Sequence, residues 1–94
     1  YSASKAALEV WARSLAQAVA SQGQRVNIIA PGFVDTDILA GDSKEKRHIR
    51  KQEVPLKRIG TPEDIASTVS FLCGDESSYI TGVVIHVNGG LYLP

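Results

Sequence analysis

"GTPEDIASTVSFLCGDES", residues 60–77, is the stretch whose reading decides the fold. Thr61 is placed to accept a hydrogen bond from the open backbone N–H groups of a helix start, and Pro62 stands at the first helical position, where its missing N–H costs nothing. Glu63 and Asp64 meet the positive end of the helix dipole. Ile65, Val69 and Leu72 recur at spacings of four and three, Phe71 and Cys73 widen the apolar stripe, and Gly74 stands near the end. The pattern predicts a helix. "YITG" (79–82) then reads as a turn, and the β-branched run of "VVIHVNGG" (83–90) as a buried strand.

The same signals occur in the amino-terminal direction. "RVNIIA" (25–30) reads as a short strand, stopped by Pro31 and Gly32. Before it, Leu8, Trp11, Ala12, Leu15, Ala16 and Val19 recur at three and four, which predicts a helix from Ser2 to about Gln22 with Gly23 as a left-handed cap. The order helix, strand, helix, strand gives a parallel βαβ unit with an extra helix in front, hence an α/β fold. Two strands are too few to stand alone, so more sheet is expected before Tyr1 or in another chain. Between the first strand and the 60–77 helix, "DTDILAGDSKEKRHIRKQEVP" (35–55) is polar and weakly periodic, with room for one or two short helices.

Composition narrows the function classes. Ten Lys plus Arg balance ten Asp plus Glu in 94 residues, 44% of them apolar, which fits an ordinary globular chain and argues against a dedicated nucleic-acid binder. A membrane span of roughly 18 continuous apolar residues is absent, as is a signal-peptide pattern, and a cytoplasmic location is expected. Cys73 is the lone cysteine and is expected to be buried; His48 and His86 lack the clustered partners of a zinc site, so no metal is expected. His86, in an apolar strand, reads as structural, and Trp11 and Phe71 read as packing residues. The basic run "KEKRHIRK" (44–51) reads as a solvated helix face. The chain has no Met, so "YSASK" (1–5) is expected to be an internal sequence.

Chemistry enters with Tyr1 and Lys5. Residues four apart share a helix face, and an ammonium beside a phenol favours the phenolate, bringing a group with an ordinary pKa near 10 toward the working range of proton transfer. The spacing alone also occurs on many helices where it does nothing.

"YSASKAAL", "ARSLAQAVASQGQRVNIIAPGFVDTD", "PLKRIGTPEDIASTVSFLCGDESSYITG" and "VNGG" together resemble the carboxyl-terminal part of the classical short-chain dehydrogenase/reductases, and within them the 3-oxoacyl-[acyl-carrier-protein] reductases of fatty-acid synthesis. The resemblance covers nearly the whole chain. It implies that residues 1–94 are the carboxyl-terminal part of a single NAD(P)-binding, Rossmann-type doubly wound domain, truncated here, with residues 38–58 as a substrate-binding lid. It implies that Tyr1 protonates the substrate carbonyl oxygen while Lys5 holds the nicotinamide ribose, and that both touch the cofactor. Pro31, Gly32 and the backbone around Val34 would flank the nicotinamide, and Thr36 would contact its carboxamide or the pyrophosphate. NADPH is the implied cofactor, with NAD possible, and an acyl-carrier-protein-linked 3-oxoacyl thioester the implied substrate. The basic run would then help to receive an acidic carrier or a cofactor phosphate. A homotetramer is implied for the full-length protein, through the first helix and the last helix and strand.

The chain also departs from that pattern. It has no glycine-rich phosphate-binding turn, and the family's catalytic serine and asparagine would precede residue 1. The 94 residues alone are therefore expected to be inactive. Two other readings stay open: an NAD-dependent sugar, steroid or small-alcohol dehydrogenase of the same family, and a nonenzymatic oligomerising fragment.

Overall fold

The computed structural model describes residues 2–94, the side chain of Ile38 excepted. Helix α1 (Ser2–Val19) continues as a 3-10 turn, Ala20–Gln22. Gly23 ends it at φ 74°, its N–H donating to the Ala20 carbonyl at 3.0 Å, which is the left-handed cap that the sequence predicts. Strand β1 (Ile28–Pro31) follows, then the short helix α2 (Asp37–Ala40) and α3 (Lys44–Glu53), which occupy the polar segment. Helix α4 (Pro62–Cys73) crosses over to β2 (Val84–Val87). The strands pair in parallel, Ile28 opposite Val84 through Pro31 opposite Val87, with the helices on one side. This is a two-stranded portion of a Rossmann-type α/β sheet.

Strand β1 starts later than the β-branched pattern predicts because residues 25–27 bond largely through side chains, beside a backbone bond from the Gly82 N–H to the Val26 carbonyl at 2.7 Å. The Arg25 guanidinium donates to the Leu72 carbonyl at the end of α4 (2.8 Å) and to the Ile80 carbonyl (3.1 Å). Asn27 donates from Nδ2 to that same Ile80 oxygen at 3.2 Å and accepts from the Val83 N–H at 3.2 Å, while the Thr81 hydroxyl accepts from the Val26 N–H at 3.1 Å. Ser77, fully buried, shares its hydroxyl proton between the carbonyls of Leu72 (2.9 Å) and Gly74 (3.0 Å). These bonds satisfy the last carbonyls of α4 and fix the turn that launches β2.

At the other end of α4 the predicted cap is present as a reciprocal box. Thr61 Oγ1 accepts from the Asp64 N–H at 3.2 Å, and Asp64 Oδ2 accepts from the Thr61 N–H at 2.8 Å. Arg58 adds a two-pronged contact to Asp64 at 2.7 and 3.2 Å. The Arg58 hydrogen bonds, then the Thr61 N–H, hold the Asp64 carboxyl well below its ordinary value. A depressed folded-state pKa stabilises the fold above the unfolded value, about 3.9 for Asp, and that stability disappears as pH falls from there through the folded value. Unfolding midpoints of the full-length protein between pH 2 and 7 should therefore fall more steeply in acid for the wild type than for Asp64→Asn, which should also be less stable at neutral pH. Parallel acid limbs for the two proteins would contradict the pairing.

Packing departs from the sequence reading in a consistent direction. The buried apolar residues are Ala12, Ala16, Leu39, Val54, Ile59 and Leu72. Trp11 is 60% exposed and Phe71 43% exposed, Cys73 is exposed rather than buried, and β2 is half-buried along its length. The reason is geometric: two four-residue strands offer a narrow face, and no residue of either strand is fully buried. The radius of gyration is 15.5 Å, against about 12 Å for a compact domain of this length, so the described residues spread along the sheet rather than close around a core.

Candidate active site

The site lies where the carboxyl ends of the two strands meet. After β1 the Gly32 N–H donates to the Val87 carbonyl at 3.0 Å, drawing the chain against the end of β2. A side chain at Gly32 would stand 2.7 Å from Asn88 Cβ and 2.9 Å from its Cα, so only glycine permits this approach. The amino-terminal part of α1 flanks the same place. A cleft of about 410 Å³ results, lined by Lys5, Pro31 and Gly32 together with His86, Asn88 and Tyr92.

Three of the sequence-predicted site residues, Lys5, Pro31 and Gly32, are thus brought together. Val34 is directed elsewhere. It forms a parallel bridge with Gly60, flanked by bonds from the Asp35 N–H to the Gly60 carbonyl and from the Gly60 N–H to the Phe33 carbonyl, both 2.8 Å. It lines an adjoining, larger cavity of about 620 Å³ with Leu56, Ile65 and the Arg58–Asp64 pair. That cavity is the less suited to catalysis, because its charged pair is engaged in capping α4. Thr36 caps α2 through its backbone, its carbonyl accepting from the Ala40 N–H at 2.9 Å, while its exposed side chain makes no cap bond and lines neither cavity. Tyr1 lies outside the described residues.

His86 and Asn88 enter the site without having been singled out for it. His86 sits opposite Ala30 in the ladder, lines both cavities, and meets the Tyr92 ring edge-on with centroids 5.4 Å apart. Its apolar strand context masked it. Asn88 carries a signal in its setting, since an Asn before two glycines marks a turn built by its own side chain.

The α2–α3 segment is tied back to the loop after β1. Arg47 pairs with Asp35 at 3.2 Å and donates to the Leu39 carbonyl at 3.1 Å; Arg50 pairs with Asp42 at 2.7 Å and lies 4.9 Å from the Phe33 ring centroid. Two of the basic residues of 44–51 therefore serve the segment itself, leaving Lys44, Lys46 and Lys51 exposed. Among the described residues no group of three or more His, Cys, Asp or Glu could hold a metal ion, and no helix is long and apolar enough to cross a membrane.

A family model described as Enoyl-(Acyl carrier protein) reductase matches residues 1–92. A solved short-chain dehydrogenase/reductase from Brucella melitensis, titled glucose/ribitol dehydrogenase, superposes on the whole chain with a TM-score of 0.88 at 37% identity. The chain belongs to the short-chain dehydrogenase/reductase family. Within that family it is 48% identical over 93 residues to the 3-oxoacyl-[acyl-carrier-protein] reductase FabG of Salmonella typhimurium, and 48% identical over 92 residues to that of Aquifex aeolicus. Those alignments take in 99% and 98% of the chain. The chain spans 38% of the length of the Salmonella and Brucella proteins and 37% of the Aquifex one. The description of the family model and the names of its members differ in substrate while sharing a fold, so the fold alone does not choose among them.

Proposed function

We propose that this chain carries the catalytic-tyrosine segment of an NADPH-dependent 3-oxoacyl-[acyl-carrier-protein] reductase. The observation that carries the reading is the meeting of Lys5, Pro31 and Gly32 in one cleft beyond the carboxyl ends of parallel strands, where ligands of open α/β sheets bind. The cleft suits the nicotinamide end of the cofactor: its volume is within the range of small-molecule sites, its floor at Gly32 has no side chain, and Lys5 supplies one cation. When bound, the nicotinamide supplies the hydride. Lys5 holds the ribose hydroxyls and favours the ionised form of the Tyr1 phenol; Tyr1 delivers its proton to the carbonyl oxygen of the 3-oxoacyl thioester, and Pro31 and Gly32 form the wall behind the ring. Val34 and Thr36 act through the loop backbone that leaves this wall. Residues 38–58 form the lid over the substrate, and the full-length protein works as a cytoplasmic homotetramer.

The likeness to a glucose/ribitol dehydrogenase favours a second reading, an NAD-dependent polyol or sugar dehydrogenase. One assay separates the two: the full-length protein is given NADPH with a 3-oxoacyl thioester on acyl carrier protein, and, separately, NAD with ribitol or glucose. Turnover only in the first mixture is expected, and turnover only in the second would replace the reductase reading. The 94 residues alone, which lack a glycine-rich phosphate-binding turn, should neither oxidise NADPH in the first mixture nor reduce NAD in the second.

A further inference from the structure

We infer that Asn88 is a positioning residue for the nicotinamide wall of the cleft, an inference that rests on the reading of that cleft given above. Asn88 stands where three parts of the chain converge. Its Oδ1 accepts from the Gly90 N–H and its Nδ2 donates to the Tyr92 carbonyl, both at 2.9 Å, and its own carbonyl accepts from the Leu91 N–H at 3.1 Å. The turn is thereby held with Gly89 at φ 62° and Gly90 at φ 90°. In that turn the Gly89 carbonyl accepts from the Leu56 N–H at 3.1 Å, joining it to the exit of the α2–α3 segment. On its other side, Cβ and Cα of Asn88 fill the space in front of Gly32.

The consequence is a mechanical stop. The Gly32 N–H bond to Val87 pulls the loop toward β2, and the Asn88 Cβ limits how far it can come. The side-chain amide, fixed by one acceptor bond and one donor bond, holds the 88–92 turn and with it the backbone that carries that Cβ. Pro31 and Gly32 therefore face Lys5 at a set distance across the cleft. An Asp at this position retains the shape and the acceptor for Gly90 but loses the donor to Tyr92; an Ala loses both.

The test uses the full-length protein, with calorimetric titration of NADPH and of 2′-phospho-ADP-ribose, which keeps the adenosine and pyrophosphate but has no nicotinamide. Asn88→Ala should weaken NADPH about five- to tenfold, and Asn88→Asp about threefold, the scale of one or two lost hydrogen bonds, with the truncated ligand held within about twofold of wild type. A merely structural role would weaken both ligands together, and that outcome, or no change in either, overturns the inference. If Asn88→Ala does not fold, the near-isosteric Asn88→Asp carries the comparison. Wild type binding neither ligand would bring down the functional reading and this inference with it. Wild type binding NADPH while both variants match it would remove only the role of Asn88.

Discussion

Tyr1→Phe in the full-length protein should lower kcat/KM for a 3-oxoacyl thioester by about 10²–10⁴-fold, the range that a positioned proton donor contributes, while leaving the dissociation constant of NADPH within about twofold. The substitution removes one hydroxyl and keeps the ring, so a large loss without a binding defect isolates proton delivery. Lys5→Met should behave differently. It removes the cation from the cleft, so kcat and cofactor affinity should both fall. In the proposed roles the cation also favours the phenolate, so without it the phenol would remain protonated to higher pH. Reduction needs the protonated phenol, hence the alkaline fall in rate should move to higher pH in Lys5→Met even as the plateau drops. Tyr1→Phe retaining more than a tenth of wild-type kcat/KM would place the proton donor elsewhere. An unmoved alkaline limb in Lys5→Met would separate Lys5 from the phenol.

Signals that act within one or two turns of chain were legible in the sequence. Thr61, Pro62 and Asp64 announced the start of α4 because a helix start needs donors satisfied locally, and Gly23 announced the end of α1 for the corresponding reason at the carboxyl end. The helix–strand–helix–strand order likewise sufficed for the parallel pairing of β1 and β2. Where periodicity fell short was in saying what a stripe meets. Trp11, Val69 and Phe71 lie on or beside apolar stripes as read, yet are exposed, because periodicity reports which residues share a face and not how much surface lies opposite it. The first residues of "RVNIIA" carry strand propensity but spend their hydrogen bonds on the turn at 80–83, a contact across more than fifty positions that no local window contains.

The site shows the same division. Lys5, Pro31 and Gly32 were found by motif and converge in one cleft, whereas His86 and Asn88 became visible only when β2 was set beside β1. The charge run of 44–51 was legible as a run, but not the fact that Arg47 and Arg50 turn back to Asp35 and Asp42. Those carboxylates lie in the loops on either side of α2, and only the folded path brings them under α3.

Gly32→Ala tests the approach of the loop after β1 to Asn88, and its expected effect on stability exceeds that of Gly23→Ala. Glycine is not required at 32 for a left-handed backbone, since the glycines at positive φ are 23, 82, 89 and 90. It is required for space. The atoms an added Cβ would meet at 2.7 and 2.9 Å are Cβ and Cα of Asn88, which cannot swing aside as the tip of a long side chain could, so β1 and β2 must separate at their carboxyl ends. Overpacking of this kind costs about 1–3 kcal/mol, and the loss of the Gly32–Val87 hydrogen bond should bring Gly32→Ala to the upper end, about 3 kcal/mol. Gly23→Ala is the natural control. There an added Cβ meets nothing within 4 Å but the backbone is at φ 74°, so its cost is conformational alone, about 1–2 kcal/mol. Denaturant unfolding of the two full-length variants should place Gly32→Ala below Gly23→Ala, and NADPH titration should find weakened binding only in the former. If Gly32→Ala is no less stable than Gly23→Ala, the strand ends have room to yield. In that case the wall opposite Lys5 is set by the loop after Gly32, where Val34 bridges Gly60, rather than by its contact with Asn88.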